Sequence, residues 1–308
     1  MEKFSRWRDS STGIHPFLTP VLPLGAAVHR AFQSIFTALW TRLALLFMGF
    51  YWISEENVTL KRGRSHTSKG QKKPRSNRMK SGDVIVSNWC SYVDILYFTF
   101  KFNPMFTQLY PATNTLRPIS MWKALLIAAS FPQLKPPSNI ETYSLKELRQ
   151  QAVKNQLGPI VIFPEATTSN GRAFLKFCPV FHEMSLPVED CVIHIYTIRY
   201  EYENFSPTYT AGNILWHYLK LCGEFKNTMI VKHLGTEESP SSPSFTVSQK
   251  AASIPLAKED AVGAQVINLM HQISRLRMTN LDAKDKYDFL KYYWDRRKGA
   301  YGKNRRSY

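Results

Sequence analysis

The sequence predicts an α/β fold: a mixed sheet flanked by helices, with apolar helices before it and further helices after it. Three observations lead to this prediction. From Asp83 onward, short β-branched runs alternate with longer amphipathic segments, as in sheets covered by helices. The length of 308 residues is enough for one large domain with appendages. The hydrophobic fraction of 44% excludes a disordered or low-complexity chain.

The strands are predicted from apolar runs that are bounded by turn residues. Asp83–Ser87 is such a run, and Pro159–Ile162 begins another that extends to Glu165. The predicted strands, in chain order, are Asp83–Ser87, Met105–Tyr110, Phe131–Leu134, Pro159–Glu165, Val192–Tyr200 and Met229–Leu234.

The helices are predicted from amphipathic spacing and from residues that begin helices. Ser144–Asn155 has the clearest apolar periodicity, and Pro118 would stand in a first helical turn, where its missing N–H is not needed. The predicted helices, in chain order, are Ser91–Phe102, Pro118–Ser130, Ser144–Asn155, Ile214–Cys222, Lys258–Met278 and Ala283–Arg297.

Composition divides the chain into five stretches. Residues 1–60 are expected to form an apolar membrane anchor, 61–82 a basic linker, and 83–235 the α/β core. Residues 236–255 form a Ser/Pro-rich loop, and 256–308 contain the C-terminal helices and a basic tail.

The N-terminal segment turns apolar and aromatic between Phe17 and Ile53. Its longest uninterrupted apolar run, Leu43–Ile53, would form a helix of about 16 Å, shorter than a hydrocarbon core of about 30 Å. A spanning helix would need Arg42 near mid-bilayer, at a cost of roughly 2.5–3.5 kcal/mol. We therefore favour one or two helices that lie in the membrane interface or dip into it as a hairpin. The alternative is a helix that packs against a soluble domain.

The net charge of +17 is concentrated in two stretches. Lys61–Gly82 contains nine basic residues and no acidic one, and Arg296–Tyr308 contains six and none. Without these 15 residues, the 40 basic residues fall to 25, against 23 acidic ones. Such stretches suit an anionic surface, whether acidic lipid or nucleic acid. Nucleic acid is not expected as a partner, because no nucleic-acid-binding motif accompanies them.

The cysteines and histidines indicate neither a disulfide framework nor a metal site. The four cysteines lack CxxC pairing and lie in apolar segments, and the eight histidines show no HExxH spacing. We therefore expect reduced thiols in a cytosol-facing protein that has no metal site.

Two polar blocks follow predicted strands, where open α/β sheets carry their sites. Asn88–Asp94 follows the first strand, and Phe163–Arg172 follows the strand that begins at Pro159. A purely structural interpretation exists for each block. Ser91 and Asp94 have the spacing of a helix capping box, and an Asn-Gly pair near the end of the second block would form a turn.

Together, the two blocks resemble those of the glycerolipid acyltransferases of the PlsC/lysophosphatidic acid acyltransferase family. That family has NHxSxxD in the first block and FPEGTRS or FPEGTTSNGR in the second, where this chain has NWCSYVD and FPEATTSNGR. The likeness extends to Leu175–Phe177 and covers roughly Gly82 to Tyr200. Within the family, the chain looks most like the small fungal lysophosphatidic acid:acyl-CoA acyltransferases of the endoplasmic reticulum and lipid droplets.

The resemblance implies the glycerolipid acyltransferase fold and transfer of an acyl group to a lysophospholipid, with lysophosphatidic acid as the expected acceptor. It implies acyl-CoA as co-substrate, no bound cofactor, and a location on the cytosolic face of the endoplasmic reticulum membrane or a lipid droplet with anionic lipids. By the same resemblance, the catalytic positions are Asn88, Trp89, Ser91 and Asp94. The substrate-binding positions are Glu165, Thr167, Thr168, Ser169, Asn170, Gly171, Arg172 and Lys176.

The first departure from the family pattern is Trp89, which stands where the family has its histidine base. An indole cannot accept a proton. A general base contributes about 10²–10⁴ in rate, whereas positioning two reactants supplies roughly 7–11 kcal/mol, so turnover can survive this loss. The substitutes that the sequence offers are Asp94 or a water that it polarises, His182, His194, and a thiolate at Cys90.

The second departure is Ala166-Thr167-Thr168 in place of Gly-Thr-Arg, which removes a phosphate-binding guanidinium. Arg172, Lys176 and the backbone N–H groups around Ser169–Gly171 are the expected replacements.

A rival hypothesis is a pseudo-enzyme that keeps the acyltransferase fold to bind lipid or a protein partner. Retention of Asp94, Glu165 and Arg172 favours the enzyme, because relaxed constraint would be expected to scatter losses across the blocks.

Overall fold

The computed structural model describes residues 23–60, 79–189, 191–243 and 245–304, with side chains described between residues 32 and 297 of these ranges. Residues 1–22, most of the basic linker (61–78) and the last residues, 305–308, lie outside the described residues. The expected contact of the linker with anionic lipid therefore stays a prediction.

The predicted α/β architecture with a mixed sheet is confirmed. A seven-stranded sheet has the order β1-β8-β7-β2-β5-β3-β4, and β6 pairs with β9 in a small second sheet. In chain order the strands are β1 (Ile53–Val58), β2 (Val84–Ser87), β3 (Met105–Tyr110), β4 (Thr115–Ile119), β5 (Ile160–Ile162), β6 (Ala173–Phe174), β7 (Ile193–Glu201), β8 (Thr228–Leu234) and β9 (Arg277–Met278).

The centre of the sheet is parallel, and its position determines where the two polar blocks meet. Val84 of β2 pairs with Ile160 of β5 on one side and with Ile193 of β7 on the other, both in parallel register. Parallel neighbours end at the same edge of a sheet. The blocks that follow β2 and β5 therefore leave the sheet side by side.

Helices cover both faces of the sheet. They are α1 (Pro23–Phe47), α2 (Tyr92–Phe102), α3 (Met121–Ala128), α4 (Leu145–Lys154), α5 (Ile214–Gly223), α6 (Gln249–Ala252), α7 (Ala261–Ser274) and α8 (Ala283–Asn304). One apolar core contains Ile85 and Val161 and is shared with α1, α2 and α3. The other contains Val84 and Ile160 and is shared with α4 and α7. Successive strand residues point to opposite faces, which explains why Val84, Ile85 and Val86 of β2 are all apolar.

Two predictions between Pro118 and Leu134 are wrong. Pro118 lies in the edge strand β4, where it pairs with Thr107, and not in a helix. Proline suits an edge strand because its missing N–H breaks no ladder there. The helix begins only after Ser120, whose Oγ accepts the N–H of Lys123 at 3.3 Å. The predicted strand Phe131–Leu134 is wrong: this proline-containing segment has no strand partner in the part of the chain that the structure describes.

Two other element boundaries differ from the predictions, and the edge strand β1 is a further difference. The strand expected to reach Glu165 ends at Ile162, two residues before Pro164. The helix expected from Lys258 is α7, which begins after its N-cap Asp260 and ends at Ser274. Strand β1 was not predicted, because its sequence ISEENV lacks apolar alternation; it is an exposed edge strand that pairs with β8.

The part of the N-terminal apolar segment that the structure describes is one helix, α1, followed by a turn. Its end is core, since Leu45, Met48 and Phe50 are buried. Arg42 is turned toward the protein, where its guanidinium donates to the carbonyls of Phe50 and Tyr51 at 2.8 and 2.6 Å. Apolar side chains on the rest of α1 are exposed, among them Phe32, Ile35, Phe36, Leu39 and Phe47. Among the described residues, no helix combines the length and the hydropathy that crossing a membrane requires.

Candidate active site

The two polar blocks are bonded to each other through the backbone of Trp89. Its N–H donates to Glu165 Oε2 at 3.4 Å, and its carbonyl accepts the N–H of Ser169 at 2.8 Å. Glu165 Oε1 also accepts the N–H of Leu175 at 3.0 Å. The buried carboxyl group of Glu165, in the second block, thus binds both the first block and the chain just after the second block.

Asn88 fixes the first block to the sheet. Its amide donates to the carbonyl of Ile198 at 2.9 Å and accepts the N–H of the same residue at 2.8 Å. The side chain thereby takes the place of a strand residue beside β7. Asn88 is buried, so this pair of bonds satisfies polar groups that water does not reach.

The Trp89 side chain fills the position at which the resembled family has its base. The indole is only 4% exposed and stacks on Phe163, with ring centres 4.6 Å apart and planes 17° from parallel. Its Nε1–H donates to the carbonyl of Ser91 at 3.2 Å. The indole has no lone pair for a proton, so this position supplies packing and not acid–base chemistry.

Asp94 forms the capping box that the spacing predicts. Its Oδ2 accepts the N–H groups of Cys90 and Ser91 at 2.6 and 2.9 Å, while Ser91 Oγ accepts the N–H of Val93 at 3.3 Å. The other carboxyl oxygen accepts the hydroxyl of Tyr200. Burial raises the pKa of Asp94 to about 6, although these bonds favour the charged form.

The other substitutes for a base that the sequence offers do not fill that role. Cys90 is fully buried, and its burial, together with the carboxyl groups of Asp94 and Glu165, raises the pKa of its thiol. A reactive thiolate needs the opposite shift. His182 is exposed and lies 2.8 Å from the carbonyl of Pro179. His194 is near the beginning of β7, far along that strand from Tyr200.

The second block is half buried and half exposed. Thr167, Thr168 and Ser169 are buried, whereas Asn170 and Arg172 are exposed. The Arg172 guanidinium donates to the Tyr202 hydroxyl at 3.4 Å, and Lys176 is exposed with its backbone N–H bonded to Leu281.

Two left-handed residues shape this block. Ala166, with φ of 54°, occupies the position at which the family pattern has glycine, and that backbone conformation is costly for an L-residue. Gly171, with φ of 68°, lies against the first block: a Cβ there would be 2.9 Å from the Cys90 sulfur. The glycine therefore permits the close approach of the two blocks.

A lysine from the C-terminal helix reaches the second block. Lys286 of α8 donates to the carbonyl and hydroxyl oxygens of Thr168 at 2.6 and 2.5 Å. Burial lowers the pKa of Lys286 to about 8, which nearby Glu165 partly opposes. Burial also raises the pKa of Glu165 to about 8. Sequence reasoning missed Lys286 because nothing in the C-terminal segment marks this lysine among its many basic neighbours.

Comparison with curated proteins finds sequences that are similar to this chain. The chain is 27% identical over 221 residues to a candidate lysophosphatidic acid:oleoyl-CoA acyltransferase of Schizosaccharomyces pombe, covering 59% of this chain and 68% of that one. It is 19% identical over 248 residues to the lysophospholipid acyltransferase LPEAT2 of Arabidopsis thaliana (79% and 40%), and 27% identical over 207 residues to LPEAT1 of the same plant (63% and 50%). The chain is similar to lysophospholipid acyltransferases.

These relatives support lysophospholipid acyltransferase activity at the level of the family. The matches span only about half the length of the two plant acyltransferases. No protein-family model matches the chain, and no solved structure does.

An apolar cavity of about 360 Å³ lies next to the first block of this acyltransferase-like chain. Side chains from α1, α2, α3 and α5 line it, including Trp40, Met48, Tyr92, Leu96, Trp122 and Leu215. Tyr92 belongs both to the first block and to the cavity wall, and so connects the two. Within the described ranges, no group of three acidic, histidine or cysteine side chains could hold a metal ion.

Substitution of Asp94 tests whether its hydrogen bonds or its charge hold the first block. Asp94→Asn keeps an oxygen for the two backbone N–H groups and an amide that can donate to Tyr200, so we expect its free energy of unfolding to change by less than about 1 kcal/mol. Asp94→Ala leaves these groups without partners and should lower that free energy by at least about 2 kcal/mol. Urea unfolding at pH 7 measures both. Equal destabilisation by the two substitutions would show that the charge, and not the bonding, matters.

The raised pKa of Glu165 predicts a pH dependence of stability. The folded protein retains a proton on Glu165 up to a pH of about 8, whereas the unfolded chain releases it near its ordinary value of 4.5. Stability from this group is therefore complete below pH 4.5 and is lost as the pH rises toward 8. We expect the free energy of unfolding to fall between pH 5 and pH 7.5 in the native chain, and to fall less in Glu165→Gln.

The exposed Glu183 provides the matched control for that experiment. Urea unfolding of Glu183→Gln should retain the full slope of the native chain. A slope in Glu165→Gln as steep as in Glu183→Gln would contradict the assignment to Glu165.

Proposed function

We propose that this protein is an acyl-CoA-dependent acyltransferase that esterifies a lysophospholipid, converting lysophosphatidic acid to phosphatidic acid at a membrane or lipid-droplet surface. The observation that carries the proposal is the hydrogen-bonded junction of the two blocks at Trp89, beside an apolar cavity. The names of the curated relatives support the same reaction class.

The proposed reaction needs little from a base. The hydroxyl oxygen of the acceptor forms a bond to the thioester carbonyl carbon, the carbon–sulfur bond breaks, and the hydroxyl proton ends on the released CoA thiol. The thioester is already activated, so alignment of the two substrates supplies most of the acceleration. A chain with Trp89 in place of a base should consequently be a slow enzyme rather than an inactive one.

The apolar cavity supports the proposal that one of the two ligands carries an acyl chain. Its wall is almost entirely apolar, and Tyr92 brings that wall to the first block. An acyl chain in this cavity would have its thioester end near the polar residues of the blocks. Burial of each methylene there would contribute about 0.8 kcal/mol.

Exposed apolar side chains around the cavity support a lipid surface as the place of action. Besides those of α1, they include Trp122 and Leu126 of α3 and Leu215, Trp216 and Leu219 of α5. Exposed apolar patches of this kind mark interaction sites in soluble proteins. Docking on this side would let a lysolipid and an acyl chain enter from the membrane, and the proposed location is the endoplasmic reticulum or a lipid droplet.

A lipid-binding pseudo-enzyme is the second candidate, and a specific observation favours it. Asp94 is fully buried, and its two carboxyl oxygens are occupied by Cys90, Ser91 and Tyr200. Trp89 stacks on Phe163 and supplies no base, so the first block holds no group that is free to take a proton.

Replacing Trp89 distinguishes the two candidates. Trp89→Phe keeps a ring to stack on Phe163 and supplies no base, whereas Trp89→His supplies one next to Asp94. We expect the histidine variant to transfer labelled acyl groups from acyl-CoA to lysophosphatidic acid at least tenfold faster than the phenylalanine variant, within the range of about 10²–10⁴ for a general base.

The measurement uses purified protein in detergent, with a panel of lysolipids as acceptors. Circular dichroism verifies that both variants are folded. No transfer by the native chain, together with equal inactivity of the two variants, would overturn the enzyme and leave the lipid-binding alternative.

The proposed docking face is tested by vesicle co-sedimentation. Phe36 and Leu39 are each 59% exposed on α1, and the double substitution Phe36→Gln, Leu39→Gln should weaken vesicle binding at least about tenfold, because each buried side chain contributes about 1.5–3 kcal/mol. Val153→Gln is the control, since Val153 is 56% exposed on α4, which covers the other face of the sheet. Equal binding of the double variant and the control would exclude this face.

A further inference from the structure

The ammonium group of Lys286 lies near Glu165 but forms no ion pair with any of the described residues. Its ammonium group donates to two neutral oxygens of Thr168, and no carboxylate of the described residues lies within the 4.0 Å of an ion pair. Glu165, the nearby acid, uses its oxygens for the N–H groups of Trp89 and Leu175. A partly buried cation with only neutral acceptors is an unfavourable arrangement that an anion would relieve.

The surroundings of Lys286 are suited to an anion. Thr168 joins it to a loop in which the hydroxyl of Ser169 and the amide of Asn170 turn the chain back at Gly171, and Arg172 follows at the exposed end. The loop therefore extends from a partly buried ammonium group to an exposed guanidinium. Phosphate is the acceptor group that lysine and arginine bind most readily together.

We infer that Lys286, supplied by α8, is the cation that binds the phosphate of the lysolipid acceptor. This inference rests on the proposed function. It assigns Lys286 to the role left open at Thr168, the position at which the resembled family has arginine. One of the three ammonium hydrogens is not used in bonds to Thr168 and is available for the ligand. Part of the acceptor site then belongs to the C-terminal helix, far from both blocks in sequence.

Packing of α8 explains how the lysine is held in place. The helix begins next to the β6–β9 pair, where Thr279 donates twice to the carbonyl of Phe174. Tyr287, the residue after Lys286, contacts the ring of Phe131 at 5.7 Å between ring centres. The Thr168 hydroxyl in turn lies 3.5 Å from the carbonyl of Ala128, three residues before Phe131. These contacts hold the start of α8 beside the second block.

A kinetic test separates charge from packing. Lys286→Met removes the charge with a similar chain length, Lys286→Arg keeps the charge, and Lys284→Met alters an exposed lysine of the same helix as control. We expect Lys286→Met to raise the KM for lysophosphatidic acid at least tenfold, equivalent to about 1.4 kcal/mol, with a smaller change in kcat. Lys286→Arg and Lys284→Met should stay within threefold of the native KM. A rescue variant, Thr168→Arg with Lys286→Met, should recover at least half of the loss on a logarithmic scale.

A labelling test uses the native chain and needs no acyl transfer. Trace acetylation with acetic anhydride, read by mass spectrometry, reports the accessibility of each lysine. Glycerol 3-phosphate should protect Lys286 at least threefold and leave Lys284 unchanged, whereas glycerol should protect neither.

The outcomes distinguish this inference from the proposed function. Protection of Lys286 without any acyl transfer would overturn the enzyme and support the phosphate site. Acyl transfer with an unchanged KM in Lys286→Met, or no protection by glycerol 3-phosphate, would overturn the role of Lys286 and leave the enzyme standing.

Discussion

The two hydrogen bonds of the Trp89 backbone are the interaction on which the candidate site depends. They join the turn after β2 to the loop after β5, with Glu165 accepting on one side and Ser169 donating on the other. Both groups are buried, and a buried backbone N–H or carbonyl without a partner is costly. A carboxyl group that is only 1% exposed is retained here because it satisfies N–H groups from two separate stretches of chain. The buried carboxyl group of Glu165 therefore serves to join the two blocks.

This constraint explains why tryptophan is tolerated in the first block. The backbone of residue 89, and not its side chain, holds the junction, so the side chain can change if it packs well. Here the indole stacks on Phe163, a residue of the second block, and adds an apolar contact to the polar junction. At Thr168, where the resembled family has arginine, the ammonium group of Lys286 from α8 binds the loop. A cation from a distant segment therefore reaches the second block without disturbing the junction.

The central strands were predictable, and the edges were not. Strands β2 and β5 and the first six residues of β7 are buried, and the apolar residues concentrated there make these strands visible in the sequence. Strand β1 can be polar and β4 can contain a proline, because one side of an edge strand has no hydrogen-bonded neighbour in the sheet. The capping box of Ser91 and Asp94 was likewise visible, since its spacing is local. Tyr200 and Lys286 complete the site through contacts between distant segments, and no local pattern marks such residues.

The central claim is that the junction at Trp89 and the adjacent cavity form one acyl-transfer site. It is tested most directly by a crystal structure of the native protein with a thioether analogue of acyl-CoA, which cannot be cleaved. The account predicts that the acyl chain occupies the cavity lined by Trp40, Tyr92 and Leu96, with the carbonyl carbon next to the first block. An acyl chain bound elsewhere, with this cavity filled by no part of the ligand, would contradict it.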